Sequence, residues 1–197
     1  MLDVLATANW ERPLYVNNTS LAQFNIDLTP YVVQEGNAYR ILPIFNPNPQ
    51  MELVNTEVSF ENITKKFKFR GLDDPRGYYN QDYRNFVLNH RSSFNSLAEA
   101  LIAEDKTDKA RETILFSIDK MPDITVPYDY TTARSVAILF EVGESDKAKE
   151  IAATMGERAM DMLDYLISKG EIDQGFQLNM AILGELQRTL YEYGEAE

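Results

Sequence analysis

The chain has no cysteine, one histidine and one tryptophan among its 197 residues. The missing thiols exclude cysteine nucleophiles, cysteine zinc sites and disulfides, and leave the redox compartment open. A metal site or a Ser-His-Asp arrangement built on histidine would have to use His90. Bases are scarce as well: 19 Lys and Arg face 31 Asp and Glu, for a formal charge of −12. Binding phosphate needs clustered cations, so nucleic acid and anionic membrane surfaces are poor partners, and the charge reads as solubility. No apolar run approaches the roughly 20 residues of a spanning helix. No basic segment precedes an apolar stretch as in a signal peptide. There is no glycine-rich phosphate loop.

What is present is globular. Hydrophobic residues make up 44% of the chain, enough to bury a core without a metal or disulfide staple. The length fits one large domain or one domain with a smaller lobe. The opening Met1-Leu2-Asp3-Val4-Leu5-Ala6 reads like the middle of a helix. That implies a fragment of a longer chain, with Met1 as an added start. Leu2, Val4, Leu5 and Ala8 form a short helix in this reading. Leu14-Tyr15-Val16 follows as a strand opened by Pro13, and Asn17-Asn18-Thr19-Ser20 is turn chemistry. Thr29-Pro30 predicts a helix start that runs to Gln34 and stops near Gly36. Ala38 to Leu42 is a strand ended by Pro43, and Asn46-Pro47-Asn48-Pro49 is a loop. Asn55 to Phe67 is ambiguous, with Asn55 or Thr56 able to cap a helix. Phe67-Lys68-Phe69-Arg70 alternates like a strand. Gly71-Leu72-Asp73-Asp74-Pro75-Arg76-Gly77 is the clearest boundary.

Beyond it the periodicity is helical. Phe86, His90, Phe94, Leu97 and Leu101 share one face. Thr107 caps a second helix carrying Ala110, Ile114, Ile118 and Met121, stopped by Pro122. A third holds Ala133, Val136, Ala137 and Phe140 and ends at Gly143. A fourth, capped by Ser145, carries Ala148, Ile151, Met155, Ala159, Met162 and Leu166 up to Gly170. The last presents Ile172, Phe176, Met180, Leu183, Leu186 and Leu190. Asp108-Lys109-Ala110 recurs as Asp146-Lys147-Ala148, and Leu101 recurs as Leu139 at the same spacing. Such periods signal helical repeats. Phe94, Leu97, Ala98, Leu101, Ala110, Ile114 and Pro122 fit the TPR spacing, with alanine where two helices cross closely. The second copy is degenerate, so the region is TPR-like.

Candidate chemistry is thin. His90 lies on an apolar face and reads as a packed residue. Glu57 with Glu61, or Asp73 with Asp74, could pair as catalytic carboxylates, but solvated acids are far commoner. Met155, Met160 and Met162 could line a plastic groove, although Met155 and Met162 fall on the core face. Asn17, Asn18 and Asn62 begin glycosylation-type triplets, which carry little weight without a secretory context. Trp10, Arg12 and Tyr15 could stack on and hold a sugar ring. They could equally be a structural tryptophan with a stacked arginine.

Asn9-Trp10-Glu11-Arg12-Pro13-Leu14-Tyr15 carries an N-W-x-R-P-x-Y pattern. Glu35-Gly36-Asn37-Ala38-Tyr39-Arg40-Ile41-Leu42-Pro43 carries E-G-x-A-Y-R-x-x-P, and Asn55-Thr56-Glu57-Val58 follows. Together these resemble the soluble C-terminal region of a domain-of-unknown-function family of multi-pass membrane proteins. That family in turn resembles protein O-mannosyltransferases, which use lipid-linked sugars. The likeness spans nearly the whole chain, since those proteins also end in TPR-like helices. Val16 departs from an expected Phe, and Asn37 from an expected apolar residue. The resemblance implies an extracytoplasmic (periplasmic) domain tethered to a membrane-embedded catalytic half of the same chain. The family's catalytic acids belong to that half, so no catalytic residue carries over. Asn9, Trp10, Arg12, Tyr15, Glu35, Tyr39 and Arg40 match motif positions and are the candidate binding residues.

These readings define an α-rich α+β fold, with a mixed lobe over residues 1–75 and TPR-like hairpins over 76–197. The expected function is a non-catalytic accessory domain that binds a protein or glycoprotein acceptor. It is not itself an enzyme and needs no cofactor or metal. The alternatives are a carbohydrate-binding module using Trp10 and Tyr15, or a free-standing TPR-like adaptor.

Overall fold

A computed structural model describes residues 2–21, 23–48 and 53–194. Met1 and Pro49, named above as a start and a loop residue, lie outside them. The fold is α-rich α+β, and the chain divides into two compact units, Met1–Lys68 and Phe69–Glu197.

In the first unit, helix α1 (Leu2–Thr7) leads to strand β1 (Leu14–Val16), the one-turn helix α2 (Asn18–Leu21) and a 3-10 turn at Thr29–Tyr31. Strands β2 (Val32–Gln34) and β3 (Tyr39–Ile41) follow, then helix α3 (Thr56–Glu61), which widens into a π turn over Asn62–Lys66. The sheet order is β1-β3-β2, all antiparallel. Leu28, Val32, Tyr39 and Ile41 form its buried core, with Leu5, Leu14, Val16, Leu21 and Phe24 packed against them.

Three expectations change here. The helix from Thr29 stops after one turn. The β-branched Val32 and Val33 join β3 in an antiparallel ladder instead, facing Ile41 and Arg40. Gly36 is therefore no helix cap. It sits at φ +82° at the head of the β2–β3 turn, closed by the Glu35 N–H donating to the Ala38 carbonyl at 2.8 Å. The turn expected at Asn17 to Ser20 becomes α2, because the Asn17 Oδ1 accepts from the Ser20 N–H at 2.6 Å and caps it. Phe67 to Arg70 forms no strand. Phe69 instead packs its ring against His90, Phe94 and Phe116.

The second unit is helical: α4 (Gln81–Ala103), α5 (Thr107–Lys120), α6 (Tyr130–Glu141), α7 (Ser145–Lys169) and α8 (Gln174–Glu192). Helix α4 packs on α5 and α6, and α6 packs on α7 and α8. Phe94, Leu97, Ala98, Leu101, Ala110 and Ile114, the positions that fit the repeat, are all fully buried. The repeat is also visible in the backbone. Lys106 N–H donates to the Leu101 carbonyl, and Glu144 N–H to Leu139, both at 2.8 Å. Asp105 (φ 59°) and Gly143 (φ 84°) take the left-handed position in each turn. After α7 the same closure appears a third time, with Glu171 bonded to Leu166 and Gly170 at φ 70°. Thr107 and Ser145 are thus first helical residues rather than caps, and neither helix has a side-chain cap.

Four expected face residues point outward: Phe86, Met162, Ile172 and Met180. Helix α4 has 23 residues against 14 in α5, so its first turns, with Phe86, outrun their partner. In α7 the buried stripe passes through Ala159, Leu163 and Leu166, which leaves Met162 on its flank. Ile172 precedes α8, whose inward line is Ile182, Leu186 and Thr189.

Candidate functional site

Strand alternation decides which motif residues can meet. Tyr15, Arg40 and Val33 are cross-strand neighbours on one face of the sheet. Tyr39, one residue from Arg40, lies on the other face in the core. It is a packing residue, which removes it from the candidate binding set. Glu35 continues β2 on the Val33 side and meets Tyr15 and Arg40.

There the Tyr15 hydroxyl donates to Glu35 Oε2 at 2.5 Å, and Asn55 Nδ2 donates to Glu35 Oε1 at 3.1 Å. Arg40 Nη1 lies 3.5 Å from the same Oε1. The Glu35 side chain is only 5% exposed, against 38% for Arg40. A carboxylate this buried is tolerated because its charge is paired and its lone pairs are used. Asn55 also caps α3, its Oδ1 accepting from the Val58 N–H at 3.3 Å. Glu35 therefore ties β1, the β2–β3 hairpin and the start of α3 at one point.

Beneath it, the Gly36 N–H donates to Ser59 Oγ at 2.9 Å, and that hydroxyl donates to the Gln34 carbonyl at 3.1 Å. The hydrogen bond to Glu35, followed by burial, raises the Tyr15 pKa above its ordinary value. Tyr15 thus stays a protonated donor at neutral pH. The cluster's outward resource is Arg40, whose buried Nε has no hydrogen-bond partner among the described residues.

The remaining motif residues stand apart. Asn9 and Trp10 occupy left-handed conformations, φ 47° and 59°, in the turn after α1. Arg12 is exposed, and Trp10 is 43% exposed. No ring or cation–π contact of Trp10 exists among the described residues, so the expected stack of Arg12 on Trp10 is absent.

The other candidates resolve simply. His90 is partly buried beside the edge of Phe69, and desolvation lowers its pKa. Glu61 pairs with Lys66, and Asp73 lies 3.9 Å from Lys120. The Arg76 side chain and backbone N–H hold the Asp74 carboxyl below its usual value. No cluster of metal-ligating side chains occurs among the described residues. None of their helices is long and apolar enough to cross a membrane.

Sequence reasoning missed Gln34, Ser59 and Arg91. Gln34 and Ser59 sit in short elements that carry no periodic signal. Arg91 is buried in α4 and donates to the carbonyls of Met121, Val126 and Pro127 and to Asp129. Its place one turn beyond the buried Val87 was the available clue.

In a comparison with known families, residues 1–58 match the family described as TMEM260-associated domain 2. That segment holds both sequence motifs and the whole Tyr15–Glu35–Arg40–Asn55 cluster, and it ends within α3. No curated protein and no solved structure matches the chain.

Proposed function

We propose that this chain is a non-catalytic, extracytoplasmic accessory domain of a membrane glycosyltransferase-like protein, and that it positions a protein or glycoprotein acceptor. The observation carrying this reading is the division of labour in the chain. The family-matched segment spends Tyr15, Glu35 and Arg40 of its motifs on a cluster that ties strands and helix together, which suits a scaffold. The second unit is a stack of helical hairpins with repeated connections, an architecture that suits peptide binding along one side. The decisive experiment deletes residues 80–197 from the full-length protein. Acceptor modification should be lost while membrane insertion persists, and an acceptor should crosslink to that segment. Undiminished transfer by the truncated protein would refute the proposal.

A carbohydrate-binding role rests on a different observation. Asn9 and Trp10 hold a left-handed conformation that costs non-glycine residues about 1 kcal/mol each, and Trp10 remains exposed. As the only tryptophan, Trp10 reports directly: its fluorescence should change on titration with mannose-type oligosaccharides. A flat titration would eliminate this role.

A further inference from the structure

The ladder of the small sheet brings Tyr15 and Arg40 closer than their hydrogen bonds alone reveal. Glu35 N–H donates to the Ala38 carbonyl and Leu42 N–H to the Tyr31 carbonyl, so 35 with 38 and 31 with 42 are bonded pairs of the β2–β3 ladder. Antiparallel pairs alternate, so Val33 and Arg40 are a bonded pair as well. Arg40 thus spends its main-chain groups on β2. Its pairing with Tyr15 of β1 is of the non-bonded kind, in which facing side chains come closest. Glu35 then fixes both side chains, accepting from the Tyr15 hydroxyl through Oε2 and facing Arg40 Nη1 through Oε1. An almost wholly buried carboxylate is spent on orienting two side chains that solvent still reaches. Tyr15 is 48% exposed and the Arg40 side chain 38%. Neither belongs to the core, which Leu14, Val16, Tyr39 and Ile41 fill from the other face. Among the described residues the guanidinium meets only Glu35, and its buried Nε is left unpaired, which is costly.

We propose that Tyr15 and Arg40 form a binding site for a hexuronic acid unit of an acidic oligosaccharide. The free edge of the guanidinium, Nε with Nη2, is the two-donor fork that fits a carboxylate. Turning the partly exposed side chain about its last bonds brings Nε out to the acceptor it lacks. Glu35 is also served by Tyr15 and Asn55, and its Arg40 contact is long at 3.5 Å, so the guanidinium keeps charge to offer. The Tyr15 ring, held at its hydroxyl end, presents a face to the apolar side of the sugar. A neutral sugar would leave the fork empty. The ladder also disfavours a peptide. With Arg40 bonded to β2, Tyr39 and Ile41 are left to bond Val16 and Leu14, so within β1 only Tyr15 directs main-chain groups to the open edge. One residue cannot seat an added strand. Because Glu35 holds ring and guanidinium beforehand, little ordering remains to be done on binding. The site is separate from the sugar role of Trp10 and from the acceptor reading, and each can fail without the others.

The test titrates the isotope-labelled 197-residue chain and follows its arginine Nε–Hε and tyrosine ring signals by NMR. Three probes are compared: a galacturonic acid trisaccharide, its methyl ester, which keeps the rings and masks the carboxylates, and acetate, which has the carboxylate and no ring. The trisaccharide should move the Arg40 signal to saturation, and its binding should weaken with salt. Neither the methyl ester nor acetate should match it. Arg40→Lys keeps the charge and loses the fork, and should weaken binding by about tenfold or more, read from the Tyr15 ring. Trp10→Phe and Arg12→Lys should leave binding unchanged. Equal binding of the methyl ester or of acetate would overturn the proposal. So would an Arg40 signal that the trisaccharide does not move, or wild-type binding by Arg40→Lys. Binding that Trp10→Phe abolishes would move the sugar site to Trp10 and overturn this one.

Discussion

At the scale of single residues, a few buried charges are the positions where a substitution leaves the most partners stranded. Arg91 is the clearest. Its side chain is almost wholly enclosed, and it donates to three carbonyls and a carboxylate between α5 and α6. Arg91→Met should cost about 3–5 kcal/mol in urea unfolding, because it strands Asp129 and three acceptors. A loss below about 1 kcal/mol would show that water replaces the guanidinium. Glu35→Ala should cost about 2 kcal/mol by freeing Asn55 and Arg40 together. Tyr15 gives a pH signature. Its pKa is raised in the folded chain, so its contribution is intact below the ordinary tyrosine value of about 10 and is lost as pH climbs from there through the folded value. Tyr15→Phe should therefore flatten the alkaline fall in stability relative to wild type. Tyr128 and Tyr193, also raised, act equally in both proteins. Superimposable alkaline limbs would disprove this role. Asp123 works at the other extreme. Burial opposes its charge, but Arg158 and the Tyr128 N–H hold its pKa below normal, so its contribution fades as acid protonates it.

At the scale of elements, local chemistry decided most outcomes, and it shows what could be read in advance. The helical repeat was legible because alanine at a close crossing and leucine at a turn closure recur 38 residues apart, and the structure uses them identically. The left-handed turn residue makes a direct comparison possible. Asp105→Gly should stabilise the protein by about 0.5–1 kcal/mol and Gly143→Ala destabilise it by about 1 kcal/mol, read as shifts in urea midpoint. The same sign for both would contradict the shared geometry. The short strands were harder. Thr29-Pro30 is a sound helix start locally, but pairing Val32 and Val33 with β3 outweighs it, and that pairing partner lies outside any local window. In the candidate site, alternation alone separates Tyr39 from Arg40 and could have been applied beforehand. That Glu35 would meet Asn55, twenty residues away, could not. The aromatic strand-like pattern at Phe67 to Arg70 misled for a related reason: Phe69 is held by rings from two helices rather than by a neighbouring strand.

At the scale of the whole molecule, two compact units each carry their own core, and most of the acidic surplus belongs to the second, where 24 acids face 14 bases against 7 and 5 in the first. Self-repulsion at −12 should make the protein more stable as salt rises to about 0.15 M, a range where screening sets in. Exposed ion pairs such as Arg76–Asp74 and Lys66–Glu61 weaken over the same range, but pairs of this kind contribute only about 0–1 kcal/mol each. A melting temperature that falls with added salt would mean that the pairs, rather than the surplus, dominate. The three matching helix closures have one more consequence. The chain leaves the junction before Thr107 and the junction before Ser145 with the same backbone path. Residues 107–144 are thus a splice-ready cassette: a tandem duplication of that stretch would join itself without a new kind of seam, adding one more hairpin to the array.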